Sequence, residues 1–238
     1  LKKDKEGSAS TVSLALYAAY TLSSFPAEWK EVARAKQNIK RWIDYAAEHT
    51  GAMTPLGRIY AASVYHRLGD DVNANRYLDL VLSSMKEDPL TGAYFAPGAQ
   101  SWLWYNDTLT TQNITLRTLL EIRPQSDKID ALTQWLLFNR QVNDWTDSKA
   151  AAQTVFTLLD VMQAKGALST PSTYRINWAD TQQTLTFEPT DFTEDLQWVR
   201  TAAQVSPKAY QAQITKTGKI TDFASLNAVY HAGTVAAS

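Results

Sequence analysis

The spacing of the apolar residues changes once along this chain, and that change constrains the fold more than any other feature. Up to about residue 166 apolar side chains recur every three to four positions, whereas after Thr170-Pro171 they alternate with polar ones. A period near 3.6 belongs to helices packed by one face, and a period of 2 to the strands of a half-buried sheet. The pattern therefore predicts a mainly α fold with a β domain, divided into residues 1–168 and 169–238.

Seven helices are expected in the first part. Ser10 and Thr11 precede a stripe of Leu14, Tyr17, Ala18 and Tyr20. Pro26 suits the first turn of a second helix, which carries Trp29, Val32, Ala33, Lys36, Ile39, Trp42, Ile43 and Ala46, with Gly51 beyond its end. Thr54-Pro55 opens a third, stopped by Gly69, and Asp70 or Asp71 caps a fourth through Ala74, Tyr77, Leu78, Val81, Leu82 and Met85. A fifth starts at Asp107-Thr108 and ends before Pro124. Ser126 caps a sixth through Ile129, Leu132, Trp135 and Leu136. Thr146 or Asp147 caps a seventh, with Ala151, Val155, Phe156, Leu158, Leu159 and Met162 as its stripe and Gly166 at its close.

The starts at Ser10, Thr54, Asp107 and Thr146 recur at intervals of 39 to 53 residues. Each interval reads as an outgoing helix, a turn and a returning helix. Such hairpins cannot bury both faces alone, so neighbours must stack into a solenoid or close into an α/α toroid. Residues 88–106 form a long non-helical stretch, in which Tyr94-Phe95 can pair with Trp102-Leu103-Trp104 across Pro97-Gly98. In the second part, alternation at Tyr174 to Trp178, Leu185 with Phe187, Leu196 with Trp198, Tyr210 to Ile214, and Leu226 to Tyr230 predicts five short strands. Turns at Ala179-Asp180, Glu188-Pro189 and Thr217-Gly218 would make them an antiparallel sheet or part of a β-sandwich.

Composition narrows the chemistry. With 238 residues the chain can bury a self-sufficient core. It has no cysteine, which excludes disulfides, a thiol nucleophile and a cysteine-held metal cluster. A formal net charge of −1 argues against a nucleic-acid partner, since a phosphate-binding face shows as a basic excess. No apolar run approaches the ~20 residues that span a bilayer. The chain opens Leu1-Lys2-Lys3-Asp4 without methionine and is expected to be a piece of something longer, with any signal peptide or membrane anchor upstream.

The three histidines, His49, His66 and His231, stand in no metal-ligand spacing, and a structural role accounts for each. Helix capping accounts for Asp70, Asp107 and Asp147, and Asp144 is the fourth aspartate weighed with them; a pair acting as acid and base on a sugar would need to reach one bond. Asp70-Asp71 lacks the partners of a diphosphate-binding aspartate motif, and neither a Gly-rich phosphate loop nor a Gly-x-Ser-x-Gly elbow is present. No catalytic residue, metal ligand or cofactor is therefore expected. The most suggestive cluster is Trp102, Trp104 and Tyr105 beside Asn106; with Asp144 and Trp145 it forms the candidate interaction surface. Lining of a toroid interior is the competing role for these rings.

Residues from about 50 to 165 resemble the second half of the thioester-type α/α toroid of bacterial alpha-2-macroglobulins. The matching pieces are His66-Arg67-Leu68-Gly69-Asp70 with Ala74, Tyr105-Asn106-Asp107-Thr108 before Leu116 and Leu119-Leu120, Trp135-Leu136 leading to Asn139-Arg140, and Trp145-Thr146-Asp147-Ser148 followed by Thr154 and Leu158. The resemblance implies a CUB-like β-domain adjoining the toroid, and a large secreted or periplasmic protein, often membrane-anchored, that traps proteases after a bait region is cut. Its partners would be proteases and other domains of the same polypeptide. The Cys-x-Glu-Gln thioester of many members has no counterpart in this cysteine-free chain, so no family site residue is carried over. An α/α-toroid enzyme or binding module acting on polysaccharide, or a protein-interaction scaffold, is the alternative expectation.

Overall fold

The computed structural model describes residues 7–26, 28–96, 108–143, 148–191, 199, 201, 208 and 211–219. Backbone contacts divide the chain into two compact units, Leu1–Ala164 and Lys165–Ser238. Among the described residues the protein is mostly helical, with seven helices and two small antiparallel sheets.

The helices begin and end where local chemistry satisfies their free backbone groups. α1 (Ala9–Ser23) starts after Ser8, whose hydroxyl accepts from the Thr11 N–H, two residues earlier than Ser10 suggests. α2 (Lys30–Glu48) starts after Trp29, so Pro26 lies in the α1–α2 turn rather than in the helix. There its carbonyl accepts from the Trp29 N–H. α3 (Pro55–Arg67) is capped by Thr54, with proline at its first position. It closes on Gly69 at φ +84°: the Gly69 N–H bonds the His66 carbonyl and the Asp70 N–H the Tyr65 carbonyl, a Schellman end that only glycine adopts without strain. Asp70 then caps α4 (Asp71–Leu82) by accepting from the Asn73 backbone at 3.0 Å and side chain at 2.7 Å. α5 (Thr108–Ile122), α6 (Lys128–Asn143) and α7 (Ser148–Ala164) complete the first unit.

The odd-numbered helices form a row, α1 on α3, α3 on α5, α5 on α7, and each even helix packs against the odd one before it. Contacts within the row advance in the same sense along both partners. Ser63 meets Thr118 and Arg67 meets Glu121 between α3 and α5; Asn113 meets Thr154 and Arg117 meets Asp160 between α5 and α7. The row is thus parallel, as outgoing and returning helices demand. Its core holds Leu16, Ile43, Ile59, Leu78, Leu116, Leu119, Leu132 and Leu136, all essentially inaccessible to solvent.

At the two ends of the row the expected stripes are corrected. α1 buries Val12, Ala15, Leu16 and Ala19 and leaves Leu14 and Tyr17 exposed. α7 buries Ala150, Thr154, Thr157 and Val161, while Val155, Phe156 and Leu159 face outward. Both helices carry apolar residues on two sides, and the stripes the spacing singled out contribute only Tyr20 and Leu158 to the side that packs on the core. Trp29 and Lys36 of the second helix are exposed as well; Ile39, Ile43 and Ala46 carry its packing.

The stretch after α4 also differs from expectation. β1 (Lys86–Asp88) pairs with β2 (Gly92–Tyr94), so the described partner of Tyr94 lies upstream and the turn is Pro89-Leu90-Thr91. Asp88 holds that turn by accepting from the Leu90 and Thr91 N–H groups, both at 2.8 Å. Gly92, at φ +90°, lets the hairpin lie directly on α6: an added Cβ would sit 2.3 Å from the Ala131 carbonyl oxygen.

In the second unit a 3₁₀ turn (Ala167–Ser169) precedes β3 (Ser172–Trp178), β4 (Thr181–Phe187) and β5 (Ala212–Thr217), ordered β4-β3-β5 and antiparallel. Tyr174, Ile176 and Trp178 share a face with Leu185 and Ile214; Thr173, Arg175 and Asn177 share the other with Thr184, Thr186 and Thr215. The alternation after Thr170-Pro171 thus gathers the apolar side chains of β3 on one face, where Thr181, Gln183 and Lys216 also lie, and leaves the other face polar. The β3–β4 turn puts Ala179 at φ +54°, the left-handed conformation a two-residue hairpin needs. The runs at Leu196–Trp198 and Leu226–Tyr230 lie outside the described residues.

Candidate functional site

The surface expected from Trp102, Trp104, Tyr105, Asn106, Asp144 and Trp145 lies outside the described residues, as do Asp107 and Asp147. The described neighbours of those segments are the first turns of α5 and α7, and the most distinctive polar chemistry of the first unit is found in these two helices.

α5 is buried nearly all round. Its first eleven positions include Thr110, Thr111, Gln112, Asn113, Thr115 and Thr118, each under a tenth exposed. These polar side chains are placed by the helix on different neighbours. Toward the outer layer, Gln112 Nε2 donates to the Ala93 carbonyl at 2.7 Å and to the Leu132 carbonyl at 3.2 Å, fastening α5 to β2 and α6. Toward α3, Thr118 shares a 2.8 Å hydrogen bond with Ser63. Toward α7, Asn113 Nδ2 donates to Thr154 Oγ1 at 2.9 Å, and Thr110 Oγ1 to Gln153 Oε1 at 3.3 Å. The Gln112 and Asn113 amide oxygens are buried with no hydrogen-bond partner. An orphaned buried acceptor of this kind costs stability unless water reaches it.

Among the described residues the seam contains hydroxyls, amides and the Arg117–Asp160 pair, contacts that can hold the helices in register. Among the described residues no group of three or more histidine, aspartate or glutamate side chains could hold a metal ion. His49 caps α2 with its ring, Nδ1 lying 2.8 Å from the Tyr45 carbonyl, and His66 Nδ1 lies 2.6 Å from Asp71 Oδ1. Asp70 is held below the usual carboxylate range by hydrogen bonds from the Asn73 side chain and then its backbone, the signature of a cap. Asp70 is therefore a cap in fact. Open grooves run along the outer sides of α4, past Asp71, Arg76 and Leu80, and of α2, past Lys40, Asp44 and Tyr45. Each is lined by a single helix and encloses nothing.

At the C-terminal ends of α1, α3 and α5 a charged cluster ties the three helices together. Arg67 of α3 makes a two-pronged pair with Glu121 of α5, at 2.8 and 2.9 Å. Its remaining nitrogen donates to Ser23 and Ser24 at the end of α1, and its guanidinium lies 4.9 Å from the Tyr20 ring centre. Arg123 similarly reaches from the end of α5 to Asn75 and Asp79 of α4.

Periodicity does not reveal the polar residues of α5. The signal that does is the absence of charge between Asp107 and Arg117, which a helix exposed on one side would not tolerate. No protein-family model matches the chain, and no curated protein does.

Proposed function

We propose that this chain is a non-catalytic domain of a bacterial alpha-2-macroglobulin-like endopeptidase inhibitor, acting at the cell surface or in the periplasm by enclosing a protease after its bait region is cut. In this reading the parallel row of helical hairpins is an arc of an α/α toroid, the β unit after Lys165 is the CUB-like partner domain, and the toroid serves as a rigid body that bait cleavage displaces.

The observation that supports it best is the pair of apolar faces at the ends of the row. Helical arrays that end in solvent carry polar outer faces on their terminal repeats. Here α1 turns Leu14 outward, with Tyr17 partly exposed beside Tyr60 of α3, and α7 turns Val155, Phe156 and Leu159 outward, with Phe156 64% exposed. Such edges suit an arc continued by further hairpins outside residues 1–238 better than a finished module. The partners in this reading are proteases and the other domains of the same polypeptide; membrane attachment, where present, would come from regions beyond these residues. The absence of cysteine makes capture steric as far as this segment is concerned.

The test is proteolysis of the full-length protein by a broad-specificity protease, followed by small-angle scattering. Cleavage confined at first to one segment, with a fall in radius of gyration, supports the reading. Diffuse cutting with no compaction contradicts it. Hydrolysis of a polysaccharide that is lost on Asp144→Asn would replace it with the enzymatic alternative.

A further inference from the structure

We propose that the α5/α7 interface is the parting seam of the helical row: α7 separates from α5 as a unit while α1, α3 and α5 remain packed. The inference does not rest on the trapping reading, since it concerns how this row is held together.

The interfaces of the row are not equivalent. α3 and α5 pack on each other and contribute Ile59, Val64, Leu116 and Leu119, all fully buried, to the core. α7 fully buries only Ala150 and Val161 as apolar side chains, together with the hydroxyls of Thr154 and Thr157, and Leu158 adds a partly buried contact with the core. Its larger apolar residues, Val155, Phe156 and Leu159, gain nothing from docking on α5, because they face away. The specific contacts to α5 are instead polar: Asn113 to Thr154, Thr110 to Gln153, and the Arg117–Asp160 pair at 3.1 Å, whose side chains are about half exposed.

Contacts of this type exchange readily for contacts with water, whereas buried apolar surface does not. Parting also removes a defect. The Asn113 side-chain oxygen, buried without a partner while α7 is docked, would be hydrated once the seam opens. The α3/α5 interface has its own hydroxyl pair and ion pair, Ser63–Thr118 and Arg67–Glu121, but these helices add fully buried leucine and isoleucine, so opening costs less at α5/α7 than at α3/α5. The outward stripe of α7 is left intact by the motion, so α7 can part from α5 while remaining attached to whatever packs on its other side.

Amide hydrogen exchange on the whole 238-residue chain reads this, because a 17-residue helix detached from its neighbour is marginal in water and frays, exposing its amides. Central amides of α7, residues 154–158, are expected to exchange on the order of a hundredfold faster than the buried amides of α3 and α5. Making the seam apolar, with Asn113→Leu and Thr154→Val together, is expected to slow α7 toward the rate of α5. The inference is overturned if α7, α5 and α3 exchange with one common opening. It is equally overturned if α7 is fast but the apolar seam leaves its rate unchanged, since the polar contacts would then not be the cause.

Discussion

Arg67 is the residue on which most of the row's long-range polar order converges. It joins the end of α1, its own helix and the end of α5 through five contacts that only a planar fork can make at once. Because its side chain is only 21% exposed, Arg67→Ala leaves Glu121 without its partner, and a loss of about 2–3 kcal/mol in chemical denaturation is expected. Arg67→Lys should recover a minor part, having the charge but not the fork. Tyr65 gives a second residue-scale prediction. Burial, and then the neighbouring Tyr77 stacked on it at 5.6 Å, push its hydroxyl up to about 12 from an ordinary value of 10.0. A raised value means the folded state favours the neutral phenol, so this contribution is fully present below pH 10 and is lost as pH rises toward 12. Burial raises Tyr77 as well, so phenolate absorbance should show late-titrating groups that fall by one in Tyr65→Phe; an unchanged titration curve would refute the assignment.

At the scale of elements, α3 and α4 were legible because their boundaries are written in residue types with few alternatives: Thr54-Pro55, Gly69 and Asp70 each do one local job. The faces of α1 and α7 were not, because both helices are apolar on two sides, and a period reports that a stripe exists without saying which side a neighbour takes. β1 was illegible for another reason. Lys86-Glu87-Asp88 is a charged, exposed sequence with no strand pattern, and its pairing follows from where Gly92 allows the hairpin to touch α6. Two glycines with the same sign of φ then separate two effects. At Gly69 an added Cβ meets nothing, so Gly69→Ala should cost only the left-handed strain, about 1 kcal/mol. At Gly92 the Cβ would meet the α6 backbone at 2.3 and 2.8 Å, neither atom able to step aside, so Gly92→Ala should cost at least about twice as much. Equal losses in melting experiments on the two variants would show that the hairpin does not sit on α6 as described.

For the molecule as a whole, the change of period near residue 170 located the passage from helices to strands, since it depends only on which backbone geometry repeats its apolar face. The polar seam of α5 and α7 was less legible, because threonine, asparagine and glutamine in a helix carry no periodic signature of burial. The candidate surface around Trp102–Asn106 and Asp144-Trp145 stands on sequence reasoning alone. No helix among the described residues is long and apolar enough to cross a membrane. What unites the observations is a row built for rigidity across α3 and α5, with apolar edges at α1 and α7. In the proposed function this row plays a mechanical part in enclosing a protease. The most direct measurement is the activity of a protease after reaction with the full-length protein, assayed on a short chromogenic peptide and on a large protein substrate. Enclosure predicts that cleavage of the peptide survives while cleavage of the protein substrate is largely lost. Equal retention of both activities, or equal loss of both, would contradict it.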